Sequence, residues 1–277
     1  MATVMPHLQF LQFVQFREFP ETAIPSPMDK LNLRFISLAG VFAAAAAPGA
    51  LAQGQPVAWS PSYVGTCTTC ELSGRNLTGW TLSGANYADA KLDYSVMRGV
   101  QAVAVNLEGA DLTGADMRGA VLNSAKLADA IFAGARLQEI NGTGADLRRA
   151  LMHGANLQGA IMIGANFEDA ELTIARLENA DLSTGNFEGA ILDRANLQGA
   201  VMNGANFKGA RFSNADIAGA SFRDARFPGA NLQSVKGFEE ADFEGACGSL
   251  STRLPPDMRL PMCTSAQLAG RAGADLD

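Results

Sequence analysis

The chain has 277 residues, 48% hydrophobic and 18% charged, with a formal net charge of −7. That charge density is too modest for a disordered polyelectrolyte, and mild acidity with interspersed signs speaks against direct binding to a nucleic-acid backbone. With 29 Gly, 7% aromatics and two His, the composition suits thin stacked walls better than an interdigitated globular core.

Residues 1–27 are rich in Phe and Gln, carry no feature of an export signal, and are expected to be a start assigned too early or an unstructured extension. From Met28 the pattern of a secretory signal begins. Lys30 and Arg34 supply a positive region, Phe35 to Ala47 an apolar run, and Ala50-Leu51-Ala52 a small-residue cleavage site. The apolar run falls short of the ~20 residues that cross a bilayer. Residues 1–52 are therefore expected to be removed, leaving a periplasmic or secreted chain that starts near Gln53, with no stable membrane span. Residues 1–52 hold three basic and three acidic groups, so removing them leaves the net charge at −7.

Residues 53–71 read as an N-terminal cap, with Trp59, Tyr63 and, just beyond, Trp80 as covering aromatics, and they contain Cys67-Thr68-Thr69-Cys70. A period of five follows. From Leu72 to Leu232 the positions ending in 2 or 7 make 33 centres, of which 30 are Leu, Phe, Met or Ile. Tyr87, Ala102 and Gly142 are the exceptions. Two residues before each centre runs a second series, Cys70 to Ala230, in which 25 of 33 positions are Ala, and of all 66 positions only Arg75 is charged. Charges and amides collect on the other three positions, as in Ala155-Asn156-Leu157-Gln158-Gly159 and Ala205-Asn206-Phe207-Lys208-Gly209.

Neither a period of 3.6 nor of 2 sustains this pattern, which excludes an amphipathic helix and an ordinary strand. Two apolar residues in every five demand a corner every five residues, and self-similarity at a fixed period marks a solenoid. The sequence closely resembles the pentapeptide-repeat family, whose motif is A-(D/N)-L-x-x, over about residues 70–247. The resemblance implies an all-β fold, a right-handed quadrilateral β-helix of about eight to nine coils with four pentapeptides to a coil, centres and Ala pointing inward. The solenoid domain is expected over 72–247 and a capping tail over 248–277.

Centres twenty apart then share a column, and one column contains Phe167, Phe187, Phe207 and Phe227, expected to stack. Two defects look compensated: Gly142 follows Ile140, and Ala102 follows Val100, so large and small have exchanged places. Asn141-Gly142 also admits a bulge. After Leu232 the register slips by one, Phe238 and Phe243 resuming the spacing, so an irregular turn is expected near Ser234 to Gly237.

Cys247 and Cys263 lie beyond the regular repeats. One zinc ion cannot gather all four thiolates across roughly 40 Å of rod at a strand spacing of ~4.8 Å. In an oxidising compartment two local disulfides are expected, Cys67 to Cys70 and Cys247 to Cys263. A thiol redox or metal role for Cys67 and Cys70 is the weaker alternative, since no βαβ pattern surrounds them.

No phosphate-binding loop, dinucleotide fingerprint, zinc-protease motif or triad is present. His153 stands alone at an outward position, and Asp111, Asp116, Glu168 and Glu188 are expected on solvated faces. An enzyme is not expected, and neither a cofactor nor a metal is implied. Outward columns Val121, Ile161, Val201 and Ile131, Leu151, Ile191 are the candidate interaction surface, for an unnamed protein partner or a second copy. The chain is thus expected to be a non-catalytic structural or interaction rod. The alternative comes from members of the resembled family that imitate DNA and bind type II topoisomerases such as gyrase. Cations spread along the rod, among them Arg136, Arg149 and Arg176, count against such a phosphate-like array.

Overall fold

The structure, a computed structural model, describes residues 65–268. The expected export segment, the cleavage after Ala52, and Trp59 and Tyr63 lie outside the described residues.

Each pentapeptide uses its backbone in the same way. The first residue pairs in parallel with the residue twenty positions on, from Thr66 with Asn86 through Asp216 with Lys236. Four units therefore complete a coil, and the coils stack into a right-handed, four-walled β-helix. In a representative unit, Asn106 donates its N–H to Ala85 C=O of the preceding coil (2.9 Å), and Leu107 donates to Lys126 C=O of the next (2.8 Å). Gly109 donates to Ala128 C=O (2.9 Å), and Ala110 turns back to Leu107 C=O (3.1 Å). Only the third N–H of the unit lacks a ladder partner.

That remaining donor explains the Asn or Asp of the motif. Asn106 Oδ1 accepts the N–H of Glu108 (3.1 Å), and the same bond recurs from Thr113 to Asp111, Gln158 to Asn156 and Ser183 to Asp181. A short side-chain acceptor two residues back closes such a turn locally. In units that begin with such an Asn or Asp all five backbone donors are then satisfied, as a solenoid wall favours.

The fourth position of each unit takes a positive φ, +66° at Gly109, which glycine adopts without steric cost. Fifteen non-glycine residues among the described ones adopt it as well, including the β-branched Ile174 at +61°.

Centres and alanines fill the interior; Leu107, Ala110, Leu157 and Ala160 are fully buried. Phe167, Phe187, Phe207 and Phe227 stack in one column, with ring centroids 4.7, 5.1 and 5.0 Å apart. Phe212 and Phe222 meet Phe207 edge-on at 5.2 and 5.8 Å. In the column that contains Gly142, the missing side chain is replaced from the next coil. A Cβ added to Gly142 would come within 2.8 Å of Met162 Cε, and its next nearest neighbours are also Met162 atoms. The gap is therefore filled chiefly along the column, by a flexible side chain suited to irregular space, while Ile140 is buried beside it.

The ladder already begins at Thr66, inside the segment expected to cap the rod. At the other end Ser221 pairs with Asp242 and Arg226 with Cys247, one residue out of the earlier register. The irregular stretch runs from Gly237 to Ala241, slightly later than the sequence suggests. Phe238 and Phe243 still pack against the core there.

The tail then folds back. Gly248 pairs with Met262, Leu254 and Leu260 pack against the core, and a short helix α1, Ser265–Leu268, follows. Thr264 and Gln267 form a reciprocal cap at its start: Thr264 N–H donates to Gln267 Oε1 (2.8 Å) and Gln267 N–H to Thr264 Oγ1 (3.2 Å).

Candidate interaction surface

Two opposite walls of the rod present apolar side chains outward. On one, Val121, Ile161 and Val201 share a column with Asn141 and Asp181 between them. Ile161 is 46% exposed, and Ile163, at the turn position of the same unit, is 38% exposed, the two flanking the inward Met162. Val103 continues this apolar ground toward the N-terminus. On the other wall Ile131, Leu151 and Ile191 share a column with Glu171 between Leu151 and Ile191, and Leu151 is 45% exposed. Val121, Val201, Ile131 and Ile191 are only half-buried to half-exposed, sheltered by neighbouring coils.

Sequence reasoning missed Ile163, Ile174 and Tyr94, although Tyr94 is the most exposed of them. They belong to the turn positions, which were read as charge and amide sites. The signal available was an apolar residue where Gly or a polar residue is the rule.

The structure joins Cys67 to Cys70 and Cys247 to Cys263. Cys67 occupies a centre position and Cys70 the following Ala position of the first unit, and Cys70 N–H donates to Cys67 C=O (3.3 Å) as in every later turn. The spacing of the motif is thus the spacing between the two inward residues of a pentapeptide. No helix N-terminus lies beside it, because α1 is the one helix among the described residues. Cys247 is buried where the returning tail covers it, Cys263 donating its N–H to Gly248 C=O (2.9 Å).

His153 is exposed. Among the described residues no group of three or more His, Cys, Asp or Glu could hold a metal ion. The concavities are open grooves; one of about 770 Å³ beside the tail is lined by Thr184, Asn203, Asp224, Arg226 and Gln267. Among the described residues no helix is long and apolar enough to cross a membrane.

Charges along the rod largely pair across coils or within a strand. Lys91 meets Glu71 and Lys208 meets Glu188, each at 2.6 Å, and Arg149 meets Asp129 at 2.6 Å. Asp116 departs from the expectation of a solvated carboxylate, since it is buried. The reason is a cover of arginines: Arg118 binds both its oxygens at 2.8 Å, and Arg98 Nε donates to Oδ2 at 2.7 Å. The Arg118 hydrogen bonds hold its carboxyl well below the usual carboxylate range, against the opposing cost of burial.

The family model described as pentapeptide repeats (8 copies) matches this chain over residues 103–138, 130–169, 150–189, 170–209 and 205–247. The chain belongs to the pentapeptide repeat family. This pentapeptide repeat protein is similar to HetL, a pentapeptide repeat protein involved in heterocyst differentiation regulation from the cyanobacterium Nostoc. The two are 27% identical over 72% of this chain and 92% of that one, with a TM-score of 0.38. It is also similar to QnrB1, a plasmid-mediated fluoroquinolone resistance protein, at 21% identity over 67% of this chain and 92% of that one, TM-score 0.32. A pentapeptide repeat protein of the Arabidopsis thaliana thylakoid lumen is 33% identical over 42% of this chain and 68% of that one, TM-score 0.31. No curated protein matches the chain.

Proposed function

We propose that this pentapeptide repeat protein is a non-catalytic, exported interaction rod whose two apolar walls engage a protein partner. The observation that carries the reading is the pairing of Ile161 and Ile163, both exposed in one unit of one wall, with Leu151 exposed on the wall opposite. Large apolar side chains standing together on a rigid, regular surface mark an interaction site more than solubility does. Export is supported by the Met28 to Ala52 pattern and by two disulfides that close local structure at each end of the described solenoid.

Mature protein purified from an envelope fraction should begin at Gln53 by mass spectrometry, and crosslinkers placed at Ile161 and Leu151 should capture a protein there. An uncleaved chain confined to the cytoplasm would defeat the export reading. Capture unchanged by Ile161→Asp and Leu151→Asp would defeat the assignment of the walls. Imitation of DNA toward a topoisomerase gains no support from the side-chain pairs, since the lysines and arginines named above neutralise carboxylates along the rod.

A further inference from the structure

We infer that the wall carrying Arg98, Arg118 and Arg136 binds the carboxylate groups of an acidic, uronate-type polysaccharide. This surface is distinct from the two apolar walls and goes beyond the reading given for them.

The inference starts from an imbalance of charge. Lys91 with Glu71, Arg149 with Asp129, and Lys208 with Glu188 are one-to-one pairs. At Asp116 three guanidinium groups face a single carboxylate: Arg98 at 2.6 Å, Arg118 at 2.8 Å and Arg136 at 4.0 Å. The carboxylate is already occupied, Oδ1 by Arg118 Nε and the Arg118 N–H, Oδ2 by Arg98 Nε and Arg118 Nη2. Arg136 stands beyond hydrogen-bonding distance and is 62% exposed. Each guanidinium carries five donors in a planar fork, so Arg98 and Arg118 keep donors beyond those spent on Asp116. A chain of net charge −7 thus concentrates a local surplus of positive charge on one wall.

The neighbouring side chains narrow the ligand class. Arg98, Arg118, Gly119, Gln138 and Glu139 line an open hollow of about 480 Å³. A guanidinium fork suits a planar carboxylate held by two parallel hydrogen bonds. Glu139 at the rim can accept hydroxyl protons from a sugar and repels a densely charged polyanion. Further along the same wall, the pairs Asn156 with Gln158 and Asn196 with Gln198 recur two coils apart, at roughly 10 Å, with the Arg176–Glu178 ion pair in the coil between. Asn156 and Asn196 each spend one oxygen lone pair on closing a turn and Gln198 donates to Asp216, which leaves the Asn amide N–H groups and the Gln158 amide to meet the hydroxyls of a chain lying along the coils. An open, flat track fits a polymer better than an enclosed small molecule.

The test is calorimetric titration of the purified full chain with oligogalacturonate, with neutral dextran and dextran sulfate as comparators. Oligogalacturonate should bind, more weakly as salt rises, and dextran should not. Arg136→Gln should weaken binding about two- to five-fold, the scale of one exposed charge pair, with the melting curve unchanged. Asp116→Asn should tighten binding by a similar factor, because it removes the competing carboxylate; Arg136→Gln stands as the readout if that variant melts early. Binding that ignores Arg136→Gln, or equal binding of dextran, would overturn the inference. Tighter binding of dextran sulfate than of oligogalacturonate would also overturn it, by showing attraction to charge alone.

Discussion

The coils before residue 166 and those after it solve one packing problem with different side chains. The earlier interior is a ladder of Leu and Met in which gaps are exchanged between neighbours: Val100 beside Ala102, Ile140 beside Gly142, and Met162 reaching into the space above it. The later interior mixes leucine with a phenylalanine column, stacked at centroid distances of 4.7 to 5.1 Å and braced edge-on by Phe212 and Phe222. The backbone unit is unchanged between them, and both halves contain turns closed by an Asn or Asp side chain, as at Asn106 and Asn196. A wall built on a repeating backbone ladder leaves the interior free to vary, provided that the volume per coil is kept.

If the aromatic half derives its rigidity from ring packing, its weakest points under truncation are the rings with several aromatic neighbours. Phe207 touches Phe187, Phe227, Phe212 and Phe222. Phe207→Ala should cost about 3–5 kcal/mol in urea unfolding, toward the upper end, because stacked rings cannot collapse into the hole. Leu147→Ala in the earlier half should cost less, toward the lower end of about 2–5 kcal/mol, because it removes a smaller aliphatic side chain and no ring stack. Equal costs would erase the distinction between the halves.

The two ends differ in the same way. Cys247 and Cys263 close a span of 16 residues, Cys67 and Cys70 a span of 3. Chain entropy assigns about 3 kcal/mol to the longer loop and about half that to the shorter. Cys263→Ser should therefore release the returning tail, seen as rapid amide exchange over Gly248 and Cys263, while Cys70→Ser should disturb only the first unit. Protection of the tail that survives Cys263→Ser would show that Leu254 and Leu260 hold it unaided.

Much of this was readable beforehand, and for one physical reason. A side chain's inward or outward direction repeats every five residues, so the centres, the Ala series, the phenylalanine column and the late register slip all appear as arithmetic on the sequence. Contacts between outward side chains do not. Asp116 looks like Asp111 in sequence, but it is buried because Arg98 arrives from the preceding coil and Arg118 from the same strand. Cys67 stayed outside the series of centres because it stands where Leu is the rule, although Cys70 opens the Ala series.

The compensation at Gly142 sharpens the account of the earlier half. Gly142→Leu should cost about 1–3 kcal/mol through overpacking. The nearest obstruction is Met162 Cε at 2.8 Å from an added Cβ, so the restoring second substitution is Met162→Ala. Thermal melts of the single and double variants decide it. Recovery by Ile140→Ala and not by Met162→Ala would place the compensation within the unit instead of between coils.

The smallest expected effect concerns the corners, which both halves share. Ile174 holds a φ of +61°, a region that costs an L-residue roughly 1–2 kcal/mol, and a β-branched one most of all. It is 44% exposed, so its side chain recovers only part of that cost by burial. Ile174→Gly should raise stability by about 0.5–1 kcal/mol, the relief of strain being partly offset by the greater freedom of glycine in the unfolded chain. The reverse change one coil earlier is the control. Gly154 has the same conformation, φ +63°, and a Cβ there meets nothing within 4 Å, so Gly154→Ile measures the backbone cost with little packing change. If both variants lose stability, the Ile174 side chain contributes contacts on its wall that outweigh the strain. If Ile174→Gly gains stability but loses the captured partner, the strain is maintained for binding, and the apolar wall bearing Leu151 extends to its corner.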